Sequence, residues 1–492
     1  MSAVATYAQS PASPSPSAPT AKVSGLLRFT IRLTKARFAA REGESLLYLA
    51  SIVAFVISSG LALTVAGGTW MFYNRWRHPY GILLDVLAED SSFDSLIQSY
   101  FILAIIACAL LIPAVYSLTS GAAVLGARGR ERRLSALRLL GLSSADVTRM
   151  SLLDTLVQAT LGTALGLVAY LVTLPLWHNL TMTALPIEAT EMLLPWYLIV
   201  AICIAVIVLG IASAAYGLRQ VRISPLGVAR RTSRPGLKTW RVVIFGVVLV
   251  IGSVAMSMLQ LSAPVMFFLL AGIMLLMIGG LNVAGPWFLQ QFSRLIAQIP
   301  APSVIWAARR IQSNPKITWG RVVGIALLSL IGGYMALMPI EIGSGSDDGA
   351  ATQSFIEAAQ WDFTKGVIIT LAVGFALTAA SIFINQASAV FERAEQTVAM
   401  HKMGAPVAFN TKVMWLETLG PLVFAVIIGA GMGAFMGYPM YQLAGDMGVA
   451  SDGGPIVMAV VLVAGIALAV LALSLCGPLQ RRVLETQHRA ND

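Results

Sequence analysis

The chain has 492 residues, of which 57% are hydrophobic and 11% charged, with a net charge of +10. Soluble domains carry about 25% charged residues, and here apolar runs recur that are long enough to cross a bilayer core of roughly 30 Å as helices. A soluble protein is excluded, and because the basic residues sit in short segments between apolar runs, the net charge is topogenic and does not point to nucleic acid.

Residues 1–20 are rich in Ser, Pro and Ala and lack a positive stretch followed by an apolar one, so they read as a disordered cytoplasmic tail. Ten spans are expected: 46–72, 99–126, 150–176 and 195–218; a central pair at 242–261 and 265–288; then 320–341, 366–390, 411–437 and 455–477. The fold class is an all-α polytopic membrane protein. Cys108, Cys203 and Cys476 fall within spans, so no disulfide framework is indicated. The histidines lack metal-ligand spacing.

Orientation follows from the cations. Alternate connections and both termini are basic, as with Arg128, Arg130, Arg132, Arg133 and Arg138, and then Arg219, Arg222, Arg230, Arg231, Arg234 and Lys238. The opposite connections hold only Arg75, Arg77 and Lys365 of the 33 Lys and Arg. Both termini are therefore expected in the cytoplasm, with the protein in a bacterial cytoplasmic membrane. The external connections are short and several are acidic (Asp85, Glu89, Asp90, Asp94, Asp347, Asp348), and no large external domain is expected.

The chain repeats at an offset of 263. RLSALRLLGLSSADVTRMSLLDTL (133–156) aligns with QTVAMHKMGAPVAFNTKVMWLETL (396–419), pairing Gly141 with Gly404, Asp154 with Glu417 and, further on, Gly166 with Gly429. Both copies lie between an inward-running and an outward-running span. The repeats are therefore parallel, unlike the inverted repeats of many secondary transporters. Four regions result: the tail at 1–20, a first four-span repeat at 21–231, a central two-span linker at 232–300 and a second four-span repeat at 301–492. Basic amphipathic stretches at Val23–Phe38 and Val304–Ile311 precede the repeats, either as interfacial helices or as plain linkers.

The pattern Arg130-Glu131-x-x-Leu134-x-x-Leu137-Arg138-x-x-Gly141 with Asp154 resembles the FtsX-like permease family of ABC transporters, as do Arg222-Ile223-Ser224-Pro225-Leu226 and Ala307-Ala308-Arg309-Arg310 with Asn314-Pro315. The four, two, four arrangement is similar to bacitracin-efflux permeases, without their large domain between spans 7 and 8. The resemblance implies the membrane subunit of an ABC transporter, with a separate ATPase in two copies that supplies ATP and Mg. It also implies export or extraction of a hydrophobic or amphipathic substrate such as a lipid, lipopeptide or antimicrobial peptide. Mechanotransmission to an envelope enzyme and an ion-coupled carrier are the alternatives. The second copy departs from the pattern, with His401 at the place of Arg138 and Ala394 at that of Glu131.

Two readings attach to most candidate residues. Gly141, Leu142, Ser143, Ser144, Ala145 and Asp146, like Gly404, Ala405, Pro406 and Val407, form turns that cap helices; the resemblance makes them the elements that dock into the ATPase. Asp154 and Glu417 begin apolar spans, where a helix N-terminus and Arg149 or Lys412 one turn back favour an anion. The functional reading there is a cation or proton relay. Gly162-x-x-x-Gly166 and Gly429-x-x-x-Gly433-x-x-x-Gly437 are small-residue stripes, expected as a packing surface between equivalent helices at the pseudo-two-fold interface. Trp70, Phe72, Tyr73 and Trp76 read as an aromatic belt. The chain has no Gly-x-x-x-x-Gly-Lys-Ser/Thr loop, nucleophile elbow or His-Glu-x-x-His helix, so catalysis by this chain itself is not expected.

Overall fold

The computed structural model of the chain describes residues 44–128, 144–222, 240, 242–247, 250–251, 263–337, 349–392, 394–446 and 453–475. Helix follows helix: α1 Glu44–Arg77, α2 Ile82–Glu89, α3 Asp94–Arg128 and α4 Ser144–Thr173, then a two-stranded ribbon of β1 Thr181–Met182 and β2 Leu185–Pro186. After α5 Ala189–Met192 come α6 Trp196–Arg222, α7 Ala263–Ile296, α8 Pro302–Ser313 and α9 Pro315–Ala336. The last four are α10 Ala350–Glu392, α11 Ala394–Lys402, α12 Val407–Asp446 and α13 Gly453–Ser474.

Eight helices among the described residues are long and apolar enough to cross a membrane, and they fall on expected spans 1–4 and 7–10. Most of expected span 5 lies outside the described residues, and α7 covers the sixth. Lipid-facing stripes support the placement. Along α6, Trp196, Val200, Ile204 and Val208 recur every fourth residue and are all about half exposed or more. Water would not tolerate so continuous an apolar face, whereas hydrocarbon favours it.

Helix α1 packs extensively against α3, and within each half the first and third spans also pack closely, α1 against α4 and α9 against α12. The glycine stripes make this contact. A Cβ on Gly162 or Gly166 would lie 2.8 Å from the carbonyl oxygens of Ile52 or Val56 on α1, and one on Gly433 would lie 2.7 Å from the Tyr334 nitrogen on α9. Gly437 approaches the Tyr334 carbonyl, and Gly429 packs on Ala326. The stripes therefore do not lie at the interface between halves, where they were expected. They join two helices of the same half, because only a missing side chain lets the backbones come this close.

The halves meet instead along α3 and α10, supported by α1 against α10 and α3 against α9. These supporting contacts are equivalent in the two halves.

Three connections prove more ordered than their length suggests. Helix α10 starts at Ala350, well before the expected span at 366, and its 43 residues extend about 65 Å at 1.5 Å per residue. Residues 73–98 and 177–195 fold into a cap over one end of the bundle. Leu83 and Val86 of α2 pack with Ile97, Tyr100, Phe355 and Ala359, and Met182, Ile187 and Met192 pack with Leu63, Met71 and Tyr170. Short segments acquire a core here by borrowing the ends of the spans.

Candidate functional site

Beneath the cap, a cavity of about 190 Å³ separates the two halves. Its walls are Thr64, Gly68 and Phe72 of α1, Leu103, Ala107 and Leu111 of α3, Ile331 and Met335 of α9, and Gly366 and Thr370 of α10, while Met182, Ile187 and Met192 form its roof. The lining is overwhelmingly apolar, and Asp362 is the acidic residue at its edge. Phe72, expected in an aromatic belt, lines this cavity, and its ring stacks on Tyr100 at 5.6 Å.

The roof is held by a buried ion network. Arg75, in the last turn of α1, is 1% exposed, so its guanidinium must find every partner within the protein. It does so: Nε and Nη2 donate to the two carboxylate oxygens of Glu191 at 3.1 and 2.6 Å, Nη1 to the Met182 carbonyl and to Thr183 Oγ1, and Nη2 also to the Pro186 carbonyl. All five donors of an arginine are used. Burial pushes the Glu191 carboxyl up, but hydrogen bonds from Arg75 and Tyr80 with the Arg75 charge outweigh it and hold the group below the usual glutamate range. Partial desolvation of its hydroxyl and the hydrogen bond it donates to Glu191 push Tyr80 up to about 12, although the residue itself is exposed.

The ribbon turns at Thr183 and Ala184, with φ of 55° and 60°. Two left-handed residues match a tight hairpin, yet such turns normally carry Asn and Gly. For a β-branched Thr the conformation is an outlier, costing roughly 1–2 kcal/mol per residue. The surroundings offset the strain. Thr183 is fully buried, its N–H donates to Asp362 Oδ2 at 2.5 Å, and its hydroxyl lies between Arg75 and the Met182 carbonyl. Lys365 donates to Asp362 at 3.0 Å and to the Thr181 carbonyl at 2.9 Å, and Tyr100 reaches Asp362 at 3.4 Å. Asp362 and Lys365 belong to the second half, and Thr181 and Thr183 to the first. The cap thus bridges the halves. A second bridge lies nearby, where Glu89 accepts from the Thr352 N–H and hydroxyl at 3.0 and 2.6 Å and so caps the start of α10.

At the opposite end of the bundle the predicted turns are only partly visible. Arg130, Glu131, Arg138, Gly141, Leu142 and Ser143 lie outside the described residues, and Ser144 and Ala145 begin the backbone of α4. Asp146 is buried, with Arg149 at 3.9 Å. The second turn is complete. Gly404 follows α11 with φ of 92°, and the Ala405 N–H reaches back to the Met400 carbonyl at 3.0 Å, as in a Schellman end. Pro406 and Val407 then open α12.

The two intramembrane acids are both largely enclosed, and Glu417 is held differently from the expectation. Asp154 is 2% exposed. Glu417 pairs at 3.2 Å with Arg310, which lies on amphipathic helix α8, while Lys412 is exposed. A tertiary partner has displaced the one expected from sequence proximity. Helix α8 buries Ala307, Ala308 and Ile311 and leaves Trp306 about half exposed, stacked edge-on to Phe409.

Residues 123–225 match the family model described as FtsX-like permease C-terminal. The matched stretch runs from the end of α3 through α4 and the cap to the end of α6. No curated protein matched the chain.

Proposed function

Since the chain carries an FtsX-like permease domain at residues 123–225, we propose that it is the membrane subunit of an ABC transporter, driven by a separate ATPase that binds ATP and Mg. In this reading two ATPase copies dock on the turns around Gly141 and Gly404, and their closure moves one half of the permease against the other. The capped end faces out of a bacterial cytoplasmic membrane, with both termini inside.

The observation that carries the transport reading is the apolar cavity between the halves. A cavity of about 150 Å³ takes a benzene-sized ligand, so about 190 Å³ suits a short acyl segment or a large apolar side chain. A whole lipid or lipopeptide needs the halves to part further. Hydrophobic and amphipathic substrates fit such walls, and export or extraction is the direction in keeping with a site near the outer end. The closed end of α11 supports the coupling role, because the Ala405 N–H bond to the Met400 carbonyl fixes how the chain leaves α11 toward α12.

Copurification from membranes tests the reading. The expected result is one permease with two ATPases and hydrolysis stimulated by an apolar substrate. A chain that purifies without any ATPase overturns it, and hydrolysis indifferent to every amphiphile favours mechanotransmission.

A further inference from the structure

We propose that the hairpin tip at Thr183 is a latch: it covers the capped end of the apolar cavity by tying the halves together through Asp362 and Lys365, and it releases as a unit. Three observations converge on it. First, besides the packing of Ala184 and Leu185 on the cluster of Phe355 and Ala359, the tip crosses from one half to the other by directed polar bonds, from the Thr183 N–H to Asp362 and from Lys365 to the Thr181 carbonyl. Such bonds are short-ranged and break together once the strand lifts, unlike an apolar seam that slides. Second, the neighbouring Met182 is part of the cavity roof, so displacing the tip uncovers the cavity. Third, Thr183 and Ala184 sit at φ of 55° and 60°, a conformation that L-residues hold only under constraint. Strain released on opening offsets part of the lost bonding, which brings the closed and open states near in free energy. A relaxed Asn-Gly tip would favour the closed state alone. Arg75 of α1 holds the tip through Thr183 Oγ1 and the base through the Pro186 carbonyl, so the ribbon stays with the first half when its bonds to Asp362 and Lys365 break.

The latch regulates the same cavity as the function proposed above, but its test needs no ATPase, so the two can fail separately. The full chain is placed in phosphatidylcholine–phosphatidylglycerol nanodiscs, where both faces meet solvent. Cys108, Cys203 and Cys476 are replaced by alanine, and Thr370→Cys supplies a reporter in the cavity wall. The reaction rate with a charged methanethiosulfonate then reads opening. Asp362→Asn and Lys365→Met are expected to raise the rate about tenfold, as for the loss of one charge-assisted hydrogen bond. Ala184→Gly removes strain from the closed turn and is expected to lower it. Lys365 is partly exposed, so its variant reports even where Asp362→Asn does not fold. Rates within about twofold of the parent for Lys365→Met, or faster labelling of Ala184→Gly, overturn the latch.

Discussion

Glu89 accepts two hydrogen bonds from Thr352, and the two residues are 263 positions apart, the interval at which the sequence itself repeats. The coincidence persists along the interface. Tyr100 meets Asp362 at a separation of 262, and Ser117 meets Ser381 at 264. Each residue thus faces its own counterpart in the other half. For a two-fold axis lying in the membrane plane, that relation holds at one crossing point only, because the paired helices run in opposite directions. Here it is kept along α3 and the segment before it, which requires helices running side by side in the same direction about an axis along the bundle. The parallel repeat seen in sequence and the contact pattern are the same fact.

Close packing within each half predicts the first substitution. Gly433→Ala places a methyl group 2.7 Å from the Tyr334 nitrogen and against the Leu330 carbonyl, both backbone groups that cannot swing away. Overpacking of this kind costs about 1–3 kcal/mol. Gly431→Ala, on the same helix with nothing within 4 Å of the new methyl, is expected to be neutral. Thermal unfolding of the detergent-solubilised variants separates them. Equal midpoints for the two would mean that the stripe is not what joins α9 to α12.

Much of this was legible in advance, for identifiable reasons. Spans are visible because lipid demands long apolar runs, and the scarcity of cations on one side already singled out Arg75 and Lys365, both now found in the cap network. The ribbon was not legible, because Thr183-Ala184 carries none of the glycine or asparagine that marks a tight hairpin. The early start of α10 was hidden for a different reason: residues 350–365 form a helix too polar to resemble a span. Sequence proximity pointed Glu417 to Lys412, whereas the bond goes to Arg310, 107 residues away. Long-range polar pairing leaves no local trace.

The Arg75–Glu191 pair predicts both a mutant effect and an acid limit. Glu191→Gln leaves a buried guanidinium without its counter-charge, and breaking such a pair from one side costs about 3 kcal/mol. Glu191 is held below its ordinary value when folded, so its contribution is present above the unfolded value and lost as pH falls through the folded one. The parent should therefore lose stability below about pH 4.5, and the Gln variant should lose less over that window. Unfolding midpoints measured from pH 7 down to about 3 check both parts. An unchanged acid slope in the variant would assign the loss to other carboxyls.

Gly404→Ala tests the coupling turn. An alanine at φ of 92° strains the end of α11 by about 1 kcal/mol, too little to unfold the chain. If this turn carries the ATPase contact, the variant should copurify less ATPase and show weaker stimulated hydrolysis. Gly420→Ala, in open space within α12, is the matched control and should behave as the parent. Full association and stimulation in Gly404→Ala would remove the turn from the coupling path.

Filling the cavity is the most direct test of substrate passage. Gly68 lines the cavity and has no heavy atom within 4 Å of the place a Cβ would take, so a larger residue there has space to enter without moving the helices. Gly68→Leu adds apolar groups where the wall already includes Phe72, Leu103 and Ile331. Burial of those groups stabilises the resting state by about 1–2 kcal/mol. The same groups occupy the space that an acyl segment would take. The variant should therefore unfold at a higher temperature yet lose the stimulation of ATP hydrolysis by amphiphiles, while basal hydrolysis continues. Stimulation equal to that of the parent, in a variant shown to be stable, would place the substrate path outside this cavity and leave the lipid-facing surfaces of α4 and α6 as the route.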